Sequence, residues 1–182
     1  PGRDPVVAGT LGCLARHRLR SGKISYSCRM EDSTRPLNLE TDLLVIGWGK
    51  AGKTLARALA SHGKHVVLVE RDDAMIGGTC INVACVPTKT LVNLAERRGD
   101  QEPDDYLKHA IASRDSLIDR LRAANKAMLS DLETVTLVHG EARFTGPRKI
   151  RVQAGEETLD ITAGAVVINT GTSPLMPDIP GI

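Results

Sequence analysis

The chain has 182 residues and a formal net charge of +2, with 41% hydrophobic, 25% charged and 2% aromatic residues. This length and composition are those of an ordinary globular domain whose core is filled by aliphatic side chains. The sequence contains no run of about 18 apolar residues, so no membrane-spanning helix is predicted. The small net charge gives no support for nucleic acid as a partner.

Positive charge is concentrated at the N-terminus. Residues 1–30 hold six Lys or Arg and one acid, whereas the rest of the chain holds 18 Lys or Arg against 21 acids. An Arg-rich, acid-poor segment fits a transit-like presequence, and it also fits non-native sequence ahead of a natural start at Met30, which is the interpretation we favour. We expect residues 1–40 to be a disordered or non-native leader and residues 41–182 to form the functional domain.

Organised structure is expected from Asp42. The apolar run 43–46 is typical of a buried parallel strand that enters a glycine-rich turn. A helix is predicted over 50–62, with one face formed by Leu55, Ala58, Leu59 and His62. Residues 65–70 form a second buried strand, so this part of the chain is a β-α-β unit with a right-handed crossover.

The remainder is predicted to contain helices followed by strands. One helix ends near Glu96, and a longer one over 105–132 carries an apolar stripe that we interpret as core packing. From Thr134 the hydrophobic period becomes two, and short strands are predicted at 134–139, 142–145, 149–153, 158–162 and 165–169. The predicted fold class is α/β, with a parallel sheet, helices and a small antiparallel β meander.

The segment 47–52 is a G-x-G-x-x-G motif between the first strand and its helix, a context that predicts a dinucleotide site in a Rossmann-like domain. Its glycines allow, in order, a tight turn, close approach of a pyrophosphate, and close packing of helix and strand. The helix N-terminus attracts phosphates. Glu70 is placed to accept hydrogen bonds from a ribose and would repel a 2′-phosphate, which favours FAD or NAD over NADP. The residues predicted to bind the cofactor are therefore Gly47, Gly49, Lys50, Ala51, Gly52 and Glu70.

Cys80 and Cys85 form a tight pair. In a regular helix the rise alone separates Cα atoms five residues apart by roughly 7.5 Å. A disulfide needs about 4.4–6.8 Å, so a bonded pair requires a turn that is not a regular helix. Pro87 favours a helix that begins nearby, which would put Cys85 at an N-terminus where the dipole favours a thiolate. Lys89 adds positive charge one turn further on.

We interpret this pair as redox-active. The alternatives from the residues alone are a structural disulfide, half of a zinc site, and inert core cysteines. A zinc site lacks a second ligand pair, because only His109 and His139 follow and their spacing is not that of metal ligands. No resident metal is therefore expected.

These ordered motifs resemble the class I pyridine nucleotide-disulfide oxidoreductases, the family of glutathione reductase, dihydrolipoamide dehydrogenase and mercuric reductase. The matching segments are G-x-G-x-A-G at 47–52, G-G-T-C-x-N-x-x-C-x-P-T-K at 77–89, a hairpin at 139–144 and I-N-T-G-T-S-P at 168–174. The amino-acid sequences of these motifs are most similar to those of the bacterial reactive-chlorine-resistance (RclA-like) branch, near mercuric reductases. The resemblance covers residues 41–182, as the N-terminal part of a longer FAD/NAD(P) enzyme.

The resemblance implies an incomplete FAD-binding domain with one FAD per chain. Electrons would pass from NAD(P)H, bound by a segment outside this chain, through FAD to the cysteine pair and on to a small-molecule disulfide or a soft metal ion. Cys85 would face the flavin as a thiolate, Cys80 would attack the substrate, and Lys89 would lie beside the flavin and tune it. Further FAD contacts are implied for Gly78, Thr79, Ala142, Thr170 and Gly171.

The family resemblance also implies a cytoplasmic homodimer active in redox homeostasis, without a nucleic-acid or membrane partner, and a His–Glu pair supplied by the partner subunit. The chain alone is expected to bind FAD without turning over. Ala84 departs from the family pattern, which has a glycine there, and its methyl would crowd the flavin or shift the cysteines. Trp48 is large for its position. The alternative functions are a metal-ion reductase on the same scaffold, a non-catalytic dinucleotide-binding module and a small zinc-binding protein.

Overall fold

The computed structural model describes residues 36–173 and 175–181, together with the backbone of the paired strands β1 (Arg16–Arg18) and β2 (Ile24–Tyr26). These two strands belong to a separate unit, Pro1–Arg35. Most of the predicted leader, including its two cysteines, lies outside the described residues.

A six-stranded sheet is the centre of the second unit. Its strands are β3 (Leu37–Ile46), β4 (Val66–Glu70), β5 (Val135–His139), β6 (Glu141–Gly146), β7 (Lys149–Ala154) and β8 (Glu157–Ile168). Their order in the sheet is β5-β4-β3-β8-β7-β6. Strands β5, β4, β3 and β8 are parallel, whereas β7 runs antiparallel to both β8 and β6. The predicted α/β class, a parallel sheet extended by an antiparallel meander, is confirmed.

The described residues also form four α-helices and one short 3-10 helix. The helices are α1 (Lys50–Ser61), α2 (Thr79–Asn82), α3 (Cys85–Glu96) and α4 (Pro103–Ser130), and the 3-10 helix is Asp73–Met75. Helix α4 begins with its proline and carries two acids in its first turn, both favourable at a helix N-terminus. None of the described helices combines the length and apolar character needed to cross a membrane.

Two strands are longer than the sequence predicts. Strand β3 begins at Leu37 rather than Asp42, because residues 37–41 pair in register with β8. Strand β8 is a single element, although two short strands were expected there. Gly164 continues it in close contact with β3, since an added Cβ would lie 2.8 Å from the Asp42 carbonyl oxygen. Both extensions contain exposed polar residues, which the search for buried apolar runs passed over.

The face of α1 that meets the sheet is formed mainly by small residues. The buried residues of this helix are Gly52, Ala56 and Ala60, whereas Leu55 is 39% exposed. Their spacing of four places these small side chains on one stripe, which lets the helix axis lie close to the strands. At Gly52 an added Cβ would lie 2.6 Å from Val45 Cγ1. Of the four residues predicted to share one face, Leu59 packs against the core, whereas Leu55, Ala58 and His62 are exposed.

The sheet buries a core on each face. One apolar cluster joins β3 and β4 to α1 and α4, and it includes Leu43, Val45, Trp48, Leu68 and Leu129. The other joins β3, β4 and β5 to the meander, and it includes Leu44, Val67, Ile150, Val152 and Ile161. Since β3, β4 and β8 are parallel, their carboxyl ends meet at one sheet edge, where ligands bind in open α/β folds.

Candidate dinucleotide and dithiol site

The glycine-rich loop leaves β3 through a turn that only glycine fits. Gly47 has a φ of 93°, and an added Cβ would lie 2.5 Å from the Asn169 carbonyl oxygen. The loop is fixed to β4 by two backbone donors. The Gly47 N–H donates to the Val69 oxygen at 2.8 Å, and the Trp48 N–H donates to Glu70 Oε2 at 2.8 Å.

Glu70 therefore binds protein backbone as well as standing at the predicted ribose position. Its other oxygen, Oε1, accepts from the N–H groups of Arg71 at 2.9 Å and Asp72 at 3.2 Å. A carboxylate offers about four acceptor positions, so these three bonds leave capacity for another donor. The ribose contact remains a prediction, and the structure adds that this carboxylate shapes the loop.

Helix α1 presents an uncapped N-terminus at this loop. Gly49, its N-cap residue, supplies no side-chain hydrogen bond, and the first turn contains no acid. Its first N–H groups are therefore available to an external acceptor, and the helix dipole favours a negative one. Lys50 and Ala51, both exposed, form the start of this turn.

Asn169 is a residue that the sequence analysis missed. Its N–H donates to the Ile46 oxygen at 2.8 Å, which places the side chain beneath the glycine loop. A Cβ added to Gly49 would collide with its amide, and one added to Gly52 would lie 2.9 Å from Nδ2. The lack of a side chain at Gly49 thus makes room for Asn169, not only for a pyrophosphate. The sequence did contain a signal for this residue, because Asn169 is a polar residue directly before the motif Thr170-Gly171.

The Asn169 amide tests whether the loop fits a dinucleotide. Its Nδ2 is buried and has no hydrogen-bond partner among the described residues. A buried amide donor usually has a partner, so an acceptor is missing at this position. An unpaired donor beside an uncapped helix N-terminus is suited to an anionic group such as a pyrophosphate. Trp48, by contrast, is 4% exposed and belongs to the core, so its size does not obstruct the loop.

The cysteine segment lies directly against this loop. Gly77 and Gly78 have φ values of 93° and 81°, which turn the chain sharply after the 3-10 helix. A Cβ on Gly78 would lie 3.0 Å from the Trp48 oxygen and 3.1 Å from Gly49 Cα. On the other side, Thr79 Oγ1 is 3.3 Å from the Cβ position of Gly171. Residues predicted from three separate motifs are therefore brought together.

The two cysteines stand on either side of a break between helices. Helix α2 ends at Asn82, Ala84 has φ −111° and ψ −91°, and Cys85 begins α3. The predicted departure from a regular helix, and the place of Cys85 at a helix N-terminus, are both confirmed. Because the φ of Ala84 is negative, alanine needs no glycine-like conformation here.

Both cysteines are exposed, and their side chains form a hydrogen bond. A hydrogen bond with Cys85 raises the pKa of the Cys80 thiol, and burial adds to this effect. The positive charges of Lys50 and Lys53 act in the opposite direction and favour the Cys80 thiolate. The pair is thus a coupled dithiol beside two lysines of α1.

Helix α4 supports the cysteine segment through Arg122. The Arg122 Nε donates to Asn82 Oδ1 at 2.7 Å and to the Ala74 oxygen at 3.0 Å. Asn82 in turn donates from Nδ2 to the oxygens of Ile76 and Gly78, both at 2.9 Å. The turn that precedes Cys80 is therefore hydrogen-bonded to a helix about 40 residues away along the chain.

A second connection from α4 runs through Lys53. Its ammonium donates to Asn125 Oδ1 and, at 3.4 Å, to the Gly77 oxygen. Asn125 is 7% exposed, and its Nδ2 donates to the Leu121 oxygen at 2.7 Å. Burial, followed by repulsion from Lys50, lowers the pKa of Lys53. The sequence analysis assigned α4 to core packing alone, although a polar residue among its apolar positions was a usable signal.

The other predicted residues are less closely engaged. Lys89 is exposed on α3, one turn after Cys85. Ala142 packs its side chain against the core on the meander face, and the hairpin that contains it is held beside Glu70 because the Gly140 N–H donates to the Glu70 oxygen at 2.9 Å. Within the part of the chain that the structure describes, no group of three or more His, Cys, Asp or Glu is arranged to hold a metal ion.

The fold and the motifs define a flavin-type oxidoreductase domain, and comparison with known proteins identifies the family. The family described as pyridine nucleotide-disulphide oxidoreductase matches residues 41–182. The chain belongs to this family, whose members use FAD and NAD(P)H. The resemblance inferred from the sequence is confirmed.

Individual relatives agree with this assignment. The chain is 42% identical over 139 residues to the probable pyridine nucleotide-disulfide oxidoreductase RclA of Escherichia coli (strain K12), covering 76% of this chain and 30% of that protein. It is 32% identical over 152 residues to a mercuric reductase of Staphylococcus aureus, covering 78% of this chain and 27% of that protein.

A solved structure gives the same result. The Cu(II) complex of the HOCl-induced flavoprotein disulfide reductase RclA from Escherichia coli superposes with a TM-score of 0.70 at 40% identity, covering 79% of this chain and 31% of that one. The chain therefore spans about a third of the length of the relatives that it matches.

Proposed function

We propose that residues 41–182 are the FAD-binding domain of an NAD(P)H-dependent oxidoreductase that reduces its substrate through Cys80 and Cys85. One observation carries this proposal: Gly78, two residues before Cys80, lies against the glycine-rich loop. A Cβ placed on Gly78 would lie 3.0 Å from the Trp48 oxygen and 3.1 Å from Gly49 Cα. The dithiol and the dinucleotide loop are thus parts of one site. Membership of a family that uses FAD supports the choice of cofactor.

The FAD would be held mainly by backbone and small residues. The residues that fit it are Gly47, Gly49, Lys50, Ala51, Gly52, Glu70, Gly78, Thr79, Lys89, Ala142, Thr170 and Gly171, with Asn169 added by the structure. The uncapped start of α1 and the unpaired Asn169 amide offer donors to phosphate oxygens. When bound, the flavin would supply the two-electron connection between a nicotinamide nucleotide and the dithiol.

The cysteines have the arrangement that thiol–disulfide exchange requires. The Cys80 thiolate would attack one sulfur of a substrate disulfide, forming a mixed disulfide and releasing the other half as a thiolate. Cys85 would then attack Cys80 Sγ, releasing the second half and leaving an oxidised Cys80–Cys85 pair. The break before Cys85 allows this closure, and the exposure of both thiols admits the substrate.

A soft metal ion is the second candidate substrate. Two exposed, interacting thiols, with no third His, Cys, Asp or Glu ligand beside them in the described part of the chain, suit a thiophilic ion that is bound briefly and released after reduction by electrons from the flavin. A mercuric reductase and a Cu(II)-bound RclA are among the similar proteins. Steady-state rates with Hg(II) or Cu(II) salts, compared with those for glutathione disulfide and lipoamide, would decide between the two substrates.

We extend the proposal to a homodimer in the cytoplasm that acts in redox homeostasis, with no nucleic-acid or membrane partner. One close cysteine pair in a domain that otherwise lacks cysteine is typical of redox chemistry in a reducing compartment. Homodimerisation follows from the resemblance to the family, in which the partner subunit completes the site.

Quantifying thiols in the complete gene product tests the proposed function. The oxidised protein would be treated anaerobically with NADPH or NADH, alkylated, and analysed at Cys80 and Cys85 by mass spectrometry. We expect two new thiols for each FAD, and none in protein stripped of flavin. If the pair stays oxidised while the flavin is reduced, or if a thiol reagent leaves electron transfer unchanged, the chain is a dinucleotide-binding module with incidental cysteines.

A further inference from the structure

We propose that Lys53 is a positioning residue for Cys80, tying the turn before this cysteine to α4 and holding a positive charge beside its thiol. The inference rests on the proposed function, in which Cys80 is the thiol that meets the substrate. Lys53 has no place among the residues predicted to bind the cofactor. The proposal therefore gives a role to a residue of α1 that the dinucleotide motif leaves unexplained.

The geometry of Lys53 is that of a bridge. Its side chain leaves α1 one residue after the glycine motif and donates to the carbonyl of Gly77 and to the side-chain oxygen of Asn125. Asn125 is the only residue in the described part of the chain that is both polar and buried. The side-chain oxygen of a buried asparagine is unfavourable without a hydrogen-bond donor. The Lys53 ammonium supplies that donor, so the two side chains stabilise one another. The bridge fixes Gly77, three residues before Cys80.

The charge of Lys53 is placed to act on Cys80. The groups that influence this thiol are Cys85 on α3 and the two lysines of α1, Lys50 and Lys53. From α4, Arg122 reaches the same segment but is bonded to Asn82 and Ala74. Lys50 is exposed, whereas Lys53 is partly buried, so solvent and salt screen Lys53 less.

The sign of the effect follows from this arrangement. The Cys85 thiol raises the pKa of Cys80, and the two lysines oppose that rise. A thiolate is the nucleophile in exchange, so the lysine charge increases the reactive fraction of Cys80 at neutral pH. Lys53 would therefore raise the reactivity of Cys80 without touching the substrate.

The pH dependence of Cys80 alkylation tests this proposal directly. The reduced, complete gene product would be treated with iodoacetamide between pH 6 and 10, and tandem mass spectrometry would separate Cys80 from Cys85. Three variants separate the contribution of the positive charge from that of the hydrogen bonds. Lys53→Arg keeps the charge, Lys53→Gln keeps a donor without charge, and Lys53→Met removes both. Lys64→Met, at an exposed lysine that pairs with Asp42, is the matched control.

We expect Lys53→Gln and Lys53→Met to move the midpoint of Cys80 alkylation to higher pH and to slow the reaction at pH 7 by about threefold. Lys53→Arg and Lys64→Met should match the unmodified protein. Unchanged midpoints in folded Lys53→Gln would overturn the proposal. If neither neutral variant folds, Asn125→Leu tests the same bridge by removing the acceptor of the Lys53 ammonium: the Cys80 midpoint must rise relative to Lys64→Met, and an unchanged midpoint would refute the positioning role.

The alkylation measurement needs no flavin or substrate. A protein that binds no FAD but shows the Lys53 effect would defeat the proposed function and leave this inference standing. A protein that binds FAD but whose Cys80 alkylation does not depend on Lys53 would support the proposed function and overturn this inference.

Discussion

The glycine-rich loop and the cysteine segment meet at one site but are held in different ways. The loop at 47–52 is fixed by neighbours at the sheet edge, namely the ends of β4 and β8. The cysteine segment at 77–85 depends on side chains of α4, through the Arg122–Asn82 and Asn125–Lys53 connections. The loop is therefore held by the ends of neighbouring strands, whereas the geometry around the cysteines is held by side chains of a helix on one face of the sheet. Substitutions can test this difference.

Gly47→Ala should have the largest effect. The added methyl would face a positive φ and a carbonyl oxygen 2.5 Å away, and we expect a loss of about 4 kcal/mol in the free energy of unfolding. Gly63→Ala is the matched control, because Gly63 has a φ of 77° with nothing within 4 Å of its Cβ position. Its cost should be about 1 kcal/mol. Equal losses in urea denaturation would show that the close contact with Asn169 is unimportant.

Gly49→Ala should be partly rescued by a second substitution. The added methyl would collide only with the Asn169 side chain among its nearest atoms, so we expect a loss of about 2 kcal/mol that falls by at least half in an Asn169→Ala background. A double-mutant cycle of urea denaturation measures this coupling. Strict additivity would contradict the contact between Gly49 and Asn169.

Arg122→Met should loosen the cysteine segment. It removes two hydrogen bonds that hold Asn82 and the chain near Ala74, at a cost of about 1–2 kcal/mol. Hydrogen exchange should increase at residues 76–84 more than in the glycine loop. Arg120→Met, an exposed position on the same helix, is the control. Equal protection in both variants would mean that α4 does not support the cysteines.

The smallest effect is expected far from the site, in the meander. The Arg151 guanidinium donates two hydrogen bonds to Asp160, at 2.7 and 2.9 Å, and these lower the pKa of the Asp160 carboxyl. A carboxyl whose pKa is lower in the folded than in the unfolded protein stabilises the fold at any pH above its unfolded pKa. This contribution is lost as the pH falls through the folded pKa. Asp160→Asn should therefore be slightly less stable than the unmodified protein at pH 7, and the difference should vanish once the pH has fallen below the folded pKa of Asp160. A thermal-melting series would measure this, with Glu156→Gln, at an exposed turn of the same meander, as the control.

Much of this fold could be predicted from the sequence, because its signals are local. Buried apolar runs indicated β3 and β4, a change of period indicated the meander, and the glycine motif joined β3 to α1. The burial of Ala56 and Ala60 in α1 was not predicted, since these small residues give a weaker hydrophobic signal than Leu55. Local patterns describe which residues are apolar but not how closely two elements approach.

Several residues of the predicted site lie together in the structure, whereas the side chains that hold them there were not predicted. The motifs named Gly49, Gly78 and Gly171, which the structure brings together. Asn169 and Asn125 had weak signals as polar residues beside a motif or in an apolar stripe, but their contacts could not be predicted. The partners of Lys53 lie 24 and 72 residues away in sequence. A pattern in one segment contains no information about a hydrogen bond made to another.

The visible absorption spectrum of the complete gene product, before and after one equivalent of NADPH or NADH, tests the central claim most directly. We expect a bound-flavin spectrum that, on reduction, gains a long-wavelength band from contact with the Cys85 thiolate and does not gain it in Cys85→Ser. A colourless protein that also fails to take up added FAD would contradict the assignment of an FAD site to this chain.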